Sequence, residues 1–287
     1  MNMVIDESTA KKRADVLLAN HYTQYSRAAL GKLFEMDCIK LDGQPIRRGD
    51  KPKLGQVMTA DISPIQQEPD VVDLPVLYED GDVIVIDKPA GIISHSRGRY
   101  WQEASVASFI RDKTKDMKGD RAGIVHRLDR ATSGVMIAAK TEAAQAYLQK
   151  QFAERSVQKQ YIALVAGTPA QVTARIEAPL LRNPSNPKQF MVDVTGKNAI
   201  TTYRVEQSVG GISKVILTPL TGRTHQLRVH MQYIKHPILG DDLYSLQSHK
   251  ESRLYLHAYS LTINIPSGEL KTFIAPLPKE FLARLKI

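Results

Sequence analysis

Nine consecutive residues near the middle of the chain, His126-Arg127-Leu128-Asp129-Arg130-Ala131-Thr132-Ser133-Gly134, constrain its folding more than any other stretch. They follow a short apolar run, Ile124-Val125, and precede a longer one, Val135-Met136-Ile137-Ala138-Ala139. Strand-forming residues on both sides of a polar segment that ends in glycine describe a loop carried by a sheet, where functional side chains often sit. Asp129 lies between two arginines, and a nearby cation favours the charged form of a carboxylate. Free aspartate titrates at about 3.9, so at neutral pH this position offers an ionised nucleophile or base. The alternative is an aspartate that caps a turn through Thr132 and Ser133. The nine residues alone leave both readings open.

Composition bears on the partner. The chain of 287 residues carries a net charge of +9, which points to a polyanion. Residues 1–62 hold ten basic and eight acidic side chains, and residues 63–73 hold three acids and no base. The basic excess therefore lies from Leu74 onward, on the part that carries the Asp129 loop. No apolar run approaches the ~20 residues of a membrane span. The first residues show no basic flank followed by an apolar stretch, so no secretory signal and no membrane partner are expected. Cys38 is the single cysteine. It excludes an internal disulfide, offers no metal cluster and fits a reducing cytoplasm, the expected location.

From Lys11 to about Ile62 two short helices are expected, one around Val16-Leu17-Leu18 and one capped by Ser26 and running from Arg27 to Phe34. Short strands with turns at Asp42-Gly43 and Arg47-Arg48 follow, ending in a strand around Gln56 to Ile62. Residues 63–73, with two prolines and no periodicity, read as a linker. Next come a strand over Val83–Ile86, a break at Pro89-Ala90-Gly91, and the segment Ser94–Trp101. That segment joins Arg97 and Arg99 to the only tryptophan. Such a pairing suits unpaired bases, but the preferred reading of Trp101 is an anchor to the core, since large aromatics are usually buried. Thr141 is expected to cap a helix to about Glu154. Strands are expected over Gln158–Val165, Thr201–Gln207 and Ser213–Pro219, with Gly210-Gly211 as the hairpin turn between the last two. Thr221–Met231 begins a helix with Leu227, Met231 and Ile234 facing inward and Arg228 at the edge of that face. His225 and His230 are five apart, the wrong spacing for a metal pair on one helix face. They are read as hydrogen-bonding or RNA-contacting. A strand over Leu254–Ile265 and a terminal helix opened by Pro278 complete the chain.

Two resemblances follow from these residues. The Ser26-Arg27 helix start with the Asp42-Gly43 and Arg47-Arg48 turns resembles the S4 RNA-binding domain. On that resemblance Arg27, Lys32, Arg47 and Arg48 would contact phosphates. The nine-residue block, together with Asp87-Lys88-Pro89-Ala90-Gly91, Lys159-Gln160-Tyr161-Ile162-Ala163, Gly222–Arg228 and His236–Asp241, resembles the RluA family of pseudouridine synthases, in family order. The resemblance implies that Asp129 is the catalytic aspartate, that Tyr161 packs on the target base and that Arg228 pairs with Asp129. It also implies that Arg127 helps extrude the target nucleotide. Arg97, Arg99, Arg223 and His225 are further candidates for RNA contact. The Ser96–Trp101 segment departs from the family pattern, which leaves substrate choice open.

The expectation is an α+β protein. An S4-like α/β module spans 1–62, a linker 63–73, and a catalytic domain of the pseudouridine synthase fold, with a mostly antiparallel mixed sheet, spans 74–287. Its chemistry would need neither cofactor nor metal, and the protein is expected to act as a monomer. The expected substrate is uridine in large-subunit ribosomal RNA, with transfer RNA second. Two rival classes are a non-catalytic RNA-binding assembly factor and a nucleoside hydrolase. The hydrolase would usually need a second carboxylate or a metal beside the first.

Overall fold

The computed structural model describes residues 1–66, 70, 72–96, 103–114, 117–119, 121–245 and 251–285. Arg97, Arg99 and Trp101 lie outside the described residues. The chain divides into two units, one drawn mainly from Met1–Val71 and the other from Val72–His95 and Ser105–Ile287.

In the first unit the elements are β1 (Asn2–Val4), α1 (Ala14–His21), α2 (Arg27–Glu35), β2 (Ile39–Leu41), β3 (Gln44–Pro45), β4 (Val57–Ala60) and α3 (Ser63–Gln66). The strands pair antiparallel in the order β1-β4-β2-β3. Ser26 caps α2 by accepting from the amide of Ala29. Leu17 and Leu18 of α1, Leu30 and Leu33 of α2, and Ile39 and Met58 of the sheet form its core. The stretch read as a linker differs at its start: Ser63–Gln66 is a helical turn whose Ile65 is buried in that core. A single apolar residue among prolines and glutamines carries no periodicity, so the sequence did not announce it.

The second unit contains β5 (Val76–Glu79), β6 (Val83–Lys88), α4 (Val106–Ile110), β7 (Ser133–Ala139), α5 (Glu142–Glu154), β8 (Gln158–Ala166), β9 (Thr173–Glu177), β10 (Leu180–Arg182), β11 (Phe190–Val192), β12 (Ile200–Val209), β13 (Ile212–Pro219), α6 (Gln226–Tyr233), β14 (Leu256–Asn264), β15 (Leu270–Ile274) and α7 (Lys279–Arg284). Nine strands form one sheet in the order β5-β6-β7-β14-β8-β13-β12-β9, with β15 added on β14. Every pairing in it is antiparallel except β7 with β14. β10 and β11 form a separate ribbon.

Alternation along β6 and β7 explains where the central loop sits. Val83, Val85, Val135, Ile137 and Ala139 face a layer built with Ala144 and Leu148 of α5. Ile84, Ile86, Met136 and Ala138 face the other way, onto Val106 and Ile110 of α4 and onto Leu128. Period-2 alternation with both faces covered makes β7 buried throughout. Gly134 has no substitute there: its φ is 115°, and a Cβ would stand 2.2 Å from the Ala258 carbonyl oxygen of β14. At the other end of the sheet, Gly210 and Gly211, both at positive φ, make the tight turn between β12 and β13.

Candidate active site

Leu128 is the anchor of the loop. It is buried under α4, so its neighbours in sequence point elsewhere: Arg127 is exposed, and Asp129 turns into a cavity of about 460 Å³. Two clamps hold the loop backbone. The Ser94 hydroxyl accepts from the Leu128 amide at 3.0 Å and donates to the Leu128 carbonyl at 2.8 Å. Lys88, fully buried at the end of β6, donates its ammonium to the carbonyls of Pro89 and Ile92 at 2.8 and 2.7 Å and of Arg130 at 3.3 Å. Burial pushes Lys88 down to about 7, against the pull of Asp129. The Gly91 amide adds a bond to the Arg130 carbonyl at 2.8 Å. Thus the Asp87-Lys88-Pro89-Ala90-Gly91 block, 40 residues earlier in the chain, holds the Asp129 loop from beneath.

His126 is structural. Its Nε2 accepts the Ile137 amide at 3.0 Å and its ring stacks on Phe152 at 4.6 Å. Burial, with Lys159 nearby, lowers its pKa to about 3, so the ring stays neutral and the bond stays made.

Across the cavity stand Tyr161 of β8 and Arg228 of α6. Burial, reinforced by Asp129, raises the Tyr161 pKa, so the phenol is neutral. Arg228 reaches Asp129, but only as the longer of two ion pairs. Its Nε and Nη2 grip Asp241 at 2.7 and 2.6 Å, and only Nη1 faces Asp129, at 4.0 Å. The Asp241 side chain is 0% exposed and that of Asp129 21% exposed. A carboxylate with no access to water must be paired, so Asp241 takes the two-pronged face of the guanidinium. Arg228 is also not at the edge of a buried face: α6 is buried from Gln226 to Met231. Its polar side chains are satisfied inside the protein. Gln226 bonds the Ile200 carbonyl and the Thr201 hydroxyl, and His230 bonds Thr201 and the Ala178 carbonyl. Fully buried, His230 is a hydrogen-bonding residue and not an RNA contact.

His225 reaches the cavity. Its Nε2 lies 4.0 Å from Asp129 and its Nδ1 lies 2.8 Å from the Tyr244 hydroxyl. Arg223 also lines the cavity, with its Nε donated to the Asn198 carbonyl at 3.1 Å. Among the described residues no group of three or more His, Cys, Asp or Glu is placed to hold a metal. The first unit's cations divide. Arg27 is bound to Asp15 at 2.7 Å and Arg48 to Glu35 and the Gly31 carbonyl, whereas the Arg47 side chain is exposed. Lys32 is partly buried, which lowers its pKa.

Asp241, Tyr244, Lys88 and Lys159 form the site's surroundings and were not singled out from the sequence. A signal existed for Asp241. A basic residue within a buried helix requires an acid, and the His236–Asp241 block supplies one close by in sequence.

The chain is similar to known proteins. A family model described as RNA pseudouridylate synthase matches residues 82–233, more than half of the chain. The ribosomal large subunit pseudouridine synthase D of Xanthomonas campestris is 34% identical over 297 residues, covering 96% of this chain and 89% of its own. The dual-specificity RNA pseudouridine synthase RluA of Escherichia coli is 42% identical over 216 residues, covering 73% of this chain and 94% of its own. Among solved structures, human RNA pseudouridylate synthase domain containing 1 superposes with a TM-score of 0.60 at 28% identity, covering 73% of this chain and 86% of that one. With the Asp129 loop, its clamps and the opposing tyrosine and arginine all inside the matched residues, this chain belongs to the RluA-type RNA pseudouridine synthases.

Proposed function

We propose that the protein converts uridine to pseudouridine in large-subunit ribosomal RNA, with Asp129 as the reacting carboxylate. The observation that carries this is Asp129 itself: a carboxylate partly open to a cavity, on a doubly clamped loop, with a neutral tyrosine and a guanidinium beside it. The cavity lies within the roughly 300–1,000 Å³ of small-molecule sites. The N1–C1′ bond of uridine must break and a C5–C1′ bond form, while the C5 hydrogen leaves as a proton to solvent and N1, freed from the sugar, takes one up, so the product is an isomer of the substrate. A stacked base is out of reach, so the uridine is extruded at an unstacking cost of a few kcal/mol. Asp129 then meets the sugar, either by attack at C1′, displacing N1 and being itself displaced when C5 bonds to C1′, or by removing a C2′ proton that is returned once C5 and C1′ are joined. Tyr161 offers the uracil a flat, largely apolar wall while it turns. Arg228 holds the carboxylate's charge through Nη1, and Arg127, exposed at the cavity rim, fills the place the base leaves.

Ribosomal RNA is favoured by the relatives that span nearly the whole chain, several of which are ribosomal large subunit synthases. The large-subunit relative aligns with nearly the whole chain, whereas the dual-specificity relative, almost complete in its alignment, leaves about a quarter of this chain unmatched. We assign RNA binding to an S4-like module in residues 1–62, with the exposed Arg47 among its cations. Removing residues 1–62 should weaken RNA binding and flatten its salt dependence; unchanged affinity and slope would rule that role out.

The reaction is tested with large-subunit RNA carrying tritium at uracil C5. One tritiated water per modified site, without free uracil, is the expected result. Free uracil would make the protein a hydrolase, and binding without release a non-catalytic RNA-binding protein. Pseudouridine mapping in RNA from cells with and without the gene identifies the site and tells ribosomal from transfer RNA.

A further inference from the structure

His225 stands just before α6 with its backbone in the left-handed region, φ 56°. Histidine tolerates that conformation better than most residues. Its ring lies edge-on to Phe190 and Tyr244, with centroids 5.7 and 5.6 Å away. Donor counting points to which nitrogen carries the proton. The amide of Phe190 donates to the Tyr244 oxygen at 2.8 Å, and an amide nitrogen cannot accept in return. His225 Nδ1, 2.8 Å away, is the acceptor within reach of the one hydrogen of the Tyr244 hydroxyl. The proton of the neutral ring is then on Nε2, which faces Oδ2 of Asp129 at 4.0 Å. The opposite tautomer would aim a lone pair at that carboxylate and strand the hydroxyl hydrogen. Burial lowers the His225 pKa; Asp129 pulls against this and Arg228 reinforces it, so the neutral ring is the relevant one.

Oδ2 of Asp129 thus has two donors at the same distance, His225 Nε2–H and Arg228 Nη1, each 4.0 Å away. Both stand about 1 Å outside ordinary hydrogen-bond range. Tyr244 is itself fixed, because its amide donates to Asp241, the carboxylate that grips Arg228. We propose that His225 is a positioning residue for the isomerisation: Tyr244 holds it as the Nε2–H tautomer, and it donates to Asp129 when the carboxylate moves into place beside the sugar. The inference rests on Asp129 being the reacting carboxylate. It assigns His225 to the chemistry, not to RNA contact.

Two measurements test it. Nitrogen-15 NMR of histidine-labelled free protein reads the tautomer without any RNA. Protonated Nε2 and bare Nδ1 are expected for His225, identified by the signals lost in His225→Gln, and the Tyr244→Phe protein should shift toward a mixture. The kinetic arm uses tritium release from large-subunit RNA. His225→Ala should lower kcat by about ten- to a hundredfold, the worth of one hydrogen bond to a charged group, with KM changed by less than about twofold. His225→Gln, which restores an N–H at the Nε2 position, should regain most of that loss. Tyr244→Phe should lower kcat in the wild-type background and do nothing further in the His225→Gln background. An Nδ1–H tautomer in the wild-type protein would overturn the proposal, as would a His225→Ala protein with normal kcat and raised KM, the mark of an RNA contact. Were the wild type inactive on that RNA, the reading of the substrate would fail while the tautomer still decided this inference.

Discussion

Asp129 and Asp241 are both carboxylates beside Arg228, and burial separates what each one does. Asp241 has no exposed side-chain surface, and besides Arg228 it accepts the amides of Leu243 and Tyr244 at 3.0 and 3.1 Å. Asp241→Ala would leave a buried guanidinium without its partner, a loss of about 3–5 kcal/mol. Denaturant titration should show it as a large fall in midpoint. Asp129 approaches no cation closer than 4.0 Å among the described residues, so Asp129→Asn should unfold close to the wild-type midpoint. The same protein should bind RNA and release no tritium from uracil C5. Release at the wild-type rate by the folded Asp129→Asn protein would remove this carboxylate from the mechanism.

The elements that form the cleft do so by ceasing to pair. β13 follows β8 only as far as Leu217 opposite Tyr161. Beyond that point the strands part, with Lys159 and Gln160 on one side and Thr218, Pro219 and Leu220 on the other, and a second cavity of about 350 Å³ continues from the first. Arg155, at the left-handed end of α5, and Lys159 line both cavities. Neither side chain has a hydrogen-bond or ion-pair partner among the described residues, and burial alone lowers the Lys159 pKa. A cation held in a partly dry cleft without a counter-ion suits a phosphodiester. Lys159→Ala should therefore weaken RNA binding and reduce the slope of log affinity against log salt by roughly 0.7–0.9, one phosphate's share. Affinity measured between low and moderate salt checks this, and an unchanged slope would place the phosphates elsewhere. The helices around the cleft were legible in advance where a cap marked them: Thr141 accepts the Ala144 amide at the start of α5, as Ser26 does for α2. The parting of β8 from β13 was not legible, because Gln158–Val165 reads as one uninterrupted strand whatever lies beside it.

At the scale of the whole molecule, the buried histidines set the response to acid. Burial lowers His126 to about 3, with Lys159 adding to it, and lowers His257 to about 4, opposed by the Ala275 carbonyl. Both are neutral in the fold, whereas the unfolded chain takes up their protons below about 6.5. The unfolded state then binds more protons than the native one, so stability is complete above that pH and falls as pH drops from about 6.5 toward 4. Each of the two contributes about 2 kcal/mol of loss by pH 5. Thermal unfolding at pH 7, 6 and 5 should show a progressive fall in midpoint well before carboxylates titrate. A constant midpoint across that range would mean that these rings are protonated in the fold.

The sequence by itself determined the parts of this protein whose cause is local. Short uninterrupted apolar runs make strands of Val83–Ile86 and Val135–Ala139, Gly210-Gly211 makes the hairpin turn, and hydroxyl caps start α2 and α5. Local chemistry also made Asp129 a candidate, a carboxylate between arginines, while leaving a turn-capping role open until the other blocks were read with it. Only the tertiary structure decided who meets whom. Arg228 is 13 residues from Asp241 and far more from Asp129, and burial rather than order along the chain chose Asp241 as its close partner. Lys88 reaches the Arg130 carbonyl, and Tyr244 reaches His225, across separations that periodicity cannot register. The physical reason is that hydrogen bonds and ion pairs are satisfied in space, by whichever groups the packed core brings together and closes off from water.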